Sequence, residues 1–61
     1  MNKTLGSRMI EYRARNSLSQ AQLAQRVGVS VMTINMVERG LQTPSRLTRE
    51  KIELIIRKKG E

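Results

Sequence analysis

The sequence contains no cysteine, histidine, tryptophan or phenylalanine, and Tyr12 is its one aromatic residue. Lack of cysteine excludes a disulfide framework, and lack of both cysteine and histidine excludes the common zinc ligand sets, leaving carboxylates as the only conceivable metal ligands. The same absences remove the thiol nucleophile and the imidazole base that many enzymes use. The five acidic residues are scattered through charged segments, and no glycine-rich loop suited to cradling phosphates occurs. No enzymatic activity, cofactor, metal site or small-molecule substrate is therefore expected. A single aromatic ring also argues against single-stranded nucleic acid, whose binding proteins stack bases on several rings. No apolar run approaches the roughly 18 residues of a membrane span, and the basic N-terminal stretch lacks the continuous apolar segment of a signal peptide. A cytoplasmic protein with no membrane partner is expected.

What is present is positive charge in a short chain. Sixty-one residues hold one domain, spanning 1–61, near the lower size limit for folding without a staple, so helix packing or oligomerisation must supply the stability. The formal net charge is +7 and the pI about 11.3. Such a chain is attracted to polyanions before any specific contact forms, although basic side chains also serve simply to keep a small domain soluble. Their placement is informative. Residues 1–15 carry four basic side chains against one acidic, residues 16–45 two against one, and residues 46–61 six against three. Basic flanks around a less charged centre suit phosphate contacts on either side of an element that reads bases, and with so little aromatic content duplex DNA is favoured.

No internal repeat or low-complexity stretch interrupts the chain, and its small and polar residues fall where helices should start and stop. A first helix is predicted from about Thr4, its candidate N-cap, to Arg15, with Leu5, Met9 and Tyr12 or Arg13 at helical spacing. Ser19 followed three residues later by Gln22 forms a capping-box pair that opens a second helix bearing Leu23, Ala24 and Val27 on one face. Gly28 suits its left-handed terminator. Ser30 can cap a third helix running to about Arg39 with Ile34 and Val37 inward, and Gly40 ends it. After the loop Leu41-Gln42-Thr43-Pro44, Ser45 or Thr48 can cap a fourth helix carrying Leu47, Ile52, Ile55 and Ile56. No strand pattern is visible. The reading is an all-α domain of four helices, or five should another follow, around roughly a dozen apolar side chains.

Two helices joined by a tight glycine turn form an arrangement in which one helix crosses the DNA backbone while the next enters the major groove. The apolar faces meet, which leaves Ser30, Val31, Met32, Thr33, Asn35 and Met36 of the third helix free. The stretch LSQAQLAQRVGVSVMTINMVERG, Leu18 to Gly40, resembles the Cro and C1-repressor type of helix-turn-helix found in lambdoid phages and many bacterial regulators. Gln20, Leu23-Ala24, Gly28-Val29-Ser30, Ile34, Glu38 and Gly40 carry the resemblance, and Pro44-Ser45 with Lys51-Ile52 extend it.

The resemblance implies a lambda-repressor-like fold and a sequence-specific transcription regulator, a repressor, that binds a double-stranded operator as a homodimer. It assigns base contacts to Gln20, Ser30, Val31, Met32, Thr33 and Met36. Phosphate contacts fall to Gln20, Asn35, Arg39, Thr43, Ser45 and Arg46, since backbone N–H groups at a helix start attract anions. It also pairs Arg13 with Glu38. Several reading positions here are apolar where relatives place Gln, Arg or Asn. Val31, Met32 and Met36 cannot make bidentate bonds to purines but can meet the thymine C5-methyl, so thymine-containing half-sites are expected. The alternative is a protein-interaction module of the same fold that modulates another regulator through the apolar surface of Met32, Met36 and the fourth helix. Arg49 and Glu50 stand where the family often has apolar residues, and little sequence follows Leu54-Ile55-Ile56, so part of that surface is expected to be uncovered and the homodimer to use the fourth helix or the loop after Gly40.

Overall fold

The computed structural model of the chain describes residues 3–57. Four helices run through them, α1 (Leu5–Asn16), α2 (Gln20–Val27), α3 (Val31–Glu38) and α4 (Arg46–Ile56), and the described residues contain no strand. No helix among them is long and apolar enough to cross a membrane. A fifth helix would lie outside the described residues.

All four helices start in the same way, because the first backbone N–H groups of a helix have no partner within it. Thr4, Ser19, Ser30 and Ser45 each adopt extended backbone and accept a hydrogen bond on their side-chain oxygen from the N–H three residues on, at 3.0, 3.0, 3.1 and 3.2 Å. At Ser19 the bond is reciprocated, since its own N–H donates to the Gln22 side chain at 2.8 Å. Of the two candidates for the fourth cap, Ser45 holds the position and Thr48 supplies the N–H.

The helix ends are less uniform. Gly28 closes α2 at φ 89°, and the N–H groups of Gly28 and Val29 both return to the Ala24 carbonyl. At the end of α1 the same left-handed conformation is taken by Ser17, at φ 55°, with Leu18 N–H bonded to the Arg13 carbonyl. A Cβ in this region costs energy that glycine avoids. Ser17→Gly should therefore raise stability by about 0.5–1 kcal/mol despite glycine's greater unfolded-state entropy, visible as a higher denaturation midpoint at unchanged m-value.

The core is Met9, Leu23, Ala24, Val27, Ile34, Val37 and Ile52, with Leu5, Tyr12, Val29, Ile55 and Ile56 packed around it. The inner face of α4 is set by Ile52, Ile55 and Ile56, at i, i+3 and i+4. Leu47, expected inside, lies off that row and is 64% exposed, whereas Thr48, four residues before Ile52, is half-buried. Helices α2 and α3 pack on each other, with α1 against α3, α4 against α2, and α1 and α4 in contact behind them. The approach of α1 to α3 is close enough to require a glycine. A Cβ on Gly6 would stand 2.5 Å from the Val37 carbonyl oxygen and 2.9 Å from that of Glu38.

A second tie joins α1 to α4. Arg8 grips Glu53 with both terminal nitrogens, at 3.1 and 2.8 Å, and Arg49 adds a weaker contact at 3.6 Å. The hydrogen bonds from Arg8, aided by the charges of Arg8, Arg49 and Arg57, hold the Glu53 carboxyl below the usual glutamate range against an opposing effect of burial. A lowered folded-state pKa stabilises above the unfolded value, and that contribution disappears as the pH falls through the folded value. Acid titration of the native protein should thus show stability decreasing from about pH 4.5 downward, and Glu53→Gln should flatten that decrease while lowering stability at pH 7.

Candidate nucleic-acid interface

The geometry of the exposed face begins at the turn between α2 and α3. Only Val29 separates the left-handed Gly28 from the cap Ser30, and Val29 itself packs against the core. So short a connection fixes a steep angle between the helices and brings Leu23, Ala24 and Val27 against Ile34 and Val37, all buried. Burying those two α3 positions turns the remainder of its first two turns outward. Val31 is 48% and Met32 69% exposed, Ser30 is exposed, and Thr33, Asn35 and Met36 are half-buried at the margins. The Ser30 and Thr33 hydroxyls share a hydrogen bond at 3.0 Å. Two large apolar side chains thus stand next to each other in water on a surface edged by hydroxyls and amides.

Beneath this face lies a chain of polar side chains. Arg13 in α1 donates through Nε and Nη2 to the two oxygens of Glu38, at 2.7 and 2.9 Å, and through Nη1 to the Leu18 carbonyl at 3.2 Å. The Glu38 side chain is 3% exposed and that of Arg13 22%. The hydrogen bonds to Glu38 raise the Arg13 pKa, despite partial burial, so the guanidinium is held charged. This pair, implied by resemblance, therefore joins α1 to the end of α3 as a nearly buried, two-pronged bridge. Gln20, the first residue of α2, extends it. Its Nε2 donates to Glu38 Oε1 at 3.0 Å, and its Oε1 accepts from Asn35 Nδ2 at 3.3 Å.

Gln20 and Asn35 were both expected at DNA, and the structure brings them together with each other and with Glu38. That linkage is invisible in the spacing of the residues, because it depends on how α2 crosses α3. The other expected phosphate contacts lie elsewhere. Arg39 sits at the C-cap of α3, Thr43 is exposed in the following loop, and Ser45 and Arg46 open α4. The Ser45 hydroxyl is committed to Thr48, while Arg46 is almost fully solvated and 3.5 Å from Glu50. Among the described residues no side-chain hydrogen bond or ion pair joins these four to Ser30–Met36. Arg8 and Glu53, which sequence patterns did not single out, serve the α1–α4 clamp. Arg26 donates to the Tyr12 hydroxyl at 3.1 Å.

A helix-turn-helix family model matches residues 9–58, which includes α2, the Gly28 turn, α3 and nearly all of the remaining core. The chain belongs to this Cro/C1-type helix-turn-helix family of DNA-binding regulators, and its four-helix architecture is that of the lambda-repressor-like fold. Double-stranded DNA is the partner that membership supports. No curated protein and no solved structure matches the chain.

Proposed function

We propose that this chain is a sequence-specific transcription regulator, a repressor, that lays α3 in the major groove of an operator in the cytoplasm of a bacterium or phage-infected cell. The observation that carries the reading is the outward face of α3, where Val31 and Met32 are exposed beside Ser30 and Thr33 on a helix anchored at both ends. Apolar side chains at a groove floor have one natural partner, the C5-methyl of thymine, so the half-site presents thymines to Val31, Met32 and Met36 while Gln20, Ser30 and Thr33 supply polar contacts. Arg39, Thr43, Ser45 and Arg46 lie along one stretch of chain from the end of α3 to the start of α4 and hold phosphates beside the groove. A two-fold dimer would read half-sites about 34 Å apart.

Selection from a random duplex pool at physiological salt, followed by titration at several salt concentrations, tests this. The expected result is a dyad-symmetric consensus whose affinity falls steeply with salt, because each neutralised phosphate releases counterions, and which weakens when its thymines are replaced by uracil. The exposure of Leu47 and of Leu54, at 75%, favours a second reading, an interaction module that binds another regulator through α4. That module would enrich no duplex and would bind its partner with little dependence on salt.

A further inference from the structure

Arg13, Glu38, Gln20 and Asn35 form a chain whose hydrogen-bond polarity is fixed from its buried end. A guanidinium can only donate and a carboxylate can only accept, so Glu38 must receive from Arg13 and must also receive from whatever else faces it. Gln20 accordingly turns its nitrogen to Glu38, at 3.0 Å, which leaves its oxygen to accept from Asn35 Nδ2 at 3.3 Å. Asn35 is thereby oriented too. Its Oδ1 accepts from no described residue, and since no buried side-chain oxygen or nitrogen lacks a partner, that oxygen reaches solvent. A second Nδ2 hydrogen remains beside it. Asn35 stands on α3 one residue before Met36, at the edge of the apolar reading face.

From this we infer that Asn35 is a base reader selective for adenine, with Arg13, Glu38 and Gln20 as the residues that position its amide. The inference rests on the DNA-binding reading above and deepens it. A phosphate, the major-groove edge of guanine and the thymine O4 offer only acceptors, which suit the N–H but repel Oδ1, and the cytosine N4 offers only a donor, which suits Oδ1 alone. Adenine alone presents an amino donor next to an acceptor, N6 beside N7, which an outward Oδ1 and its neighbouring N–H match bidentately. The adenine of one A·T pair and the thymine methyls expected under Met32 then occupy the same half-site.

Gln20→Ala removes the bond that orients Asn35, so the Asn35 amide can turn either end outward, and the preference for adenine over an acceptor-bearing base, guanine or thymine, should fall. Asn35→Ala supplies the independent arm, because Asn35 is half-buried and its side chain bonds only to Gln20 among the described residues.

The experiment uses the duplex enriched by the wild-type chain, with each adenine replaced in turn by purine, which lacks the amino group, or by 7-deazaadenine, which lacks N7. One adenine per half-site should prove sensitive to both, each replacement weakening wild-type binding about tenfold, and neither should weaken Asn35→Ala binding further. Wild-type binding that is sequence-specific yet indifferent to both replacements at every adenine would overturn the assignment and leave the regulator reading standing. Equal sensitivity in wild type and Asn35→Ala would overturn it in the same way. Failure of the wild-type chain to enrich any sequence would overturn both.

Discussion

Gly6→Ala should abolish the cooperative thermal transition of this domain, although helix propensity alone predicts that the same change stabilises. Alanine is favoured over glycine inside a helix by about 1 kcal/mol. Here the added methyl meets backbone, with Val37 oxygen at 2.5 Å and Glu38 Cα at 3.0 Å, and neither can swing aside as a side chain could. The helices must separate, which opens the contacts of Met9 with the core and displaces the Glu38 backbone, straining the Arg13–Glu38 bridge. Overpacking in less constrained sites already costs about 1–3 kcal/mol, and a domain this size has on the order of 3–9 kcal/mol of total stability. Gly28→Ala is the informative control. At φ 89° with nothing within 4 Å of its added Cβ, it meets conformational strain alone, about 1–2 kcal/mol, and should lower Tm by about 10 °C while preserving two-state unfolding. A Gly6→Ala variant that melts like Gly28→Ala would show that α1 does not approach α3 as described.

Removing one partner of the Arg13–Glu38 bridge should cost about 3–5 kcal/mol, far above the range of about 0–1 kcal/mol typical of surface pairs. The two partners are not equivalent. Arg13→Met leaves a carboxylate that is 3% exposed with Gln20 as its only remaining side-chain donor among the described residues, whereas Glu38→Leu leaves a guanidinium that is 22% exposed and still bonded to the Leu18 carbonyl. Arg13→Met should therefore be the more damaging, and the double variant Arg13→Met with Glu38→Leu should recover part of the loss because no charge is left stranded. Urea denaturation of the four proteins of this cycle provides the check. Single-variant losses below 1 kcal/mol would mean that solvent reaches the pair and that the bridge does not set the angle of α3.

The parts of the structure legible in the sequence are those governed by neighbours along the chain. Capping depends on residues three apart, so Thr4, Ser19 with Gln22, Ser30 and Ser45 announce the helix starts, and Gly28 announces the turn on which the family architecture depends. The inner faces of α2 and α3 follow from periodicity in the same way. Leu47 misleads because hydrophobicity marks it as core while the row through Ile52, Ile55 and Ile56 excludes it. Contacts between distant segments leave weaker traces. Glu38 meets Arg13 across 25 residues and was reachable only by resemblance, while the Arg8–Glu53 clamp spans 45 and gave no signal. Gly6 is silent in principle, since its requirement comes from the backbone of another helix. Gln20 and Asn35 each read as surface polar residues at the DNA, and nothing in their spacing reveals that their amides bond to one another over a buried carboxylate.

Recognition by this domain requires the Gly28 turn to present α3 so that its outward side chains lie against base edges. Backbone amide chemical shifts of the 15N-labelled chain, followed during titration with the duplex it selects, report where the duplex sits. The largest changes should fall on Gln20 and Ser30–Met36, with smaller ones from Arg39 to Arg46. Changes concentrated instead around Leu47 and Leu54 on α4, with α3 unperturbed at saturation, would contradict it.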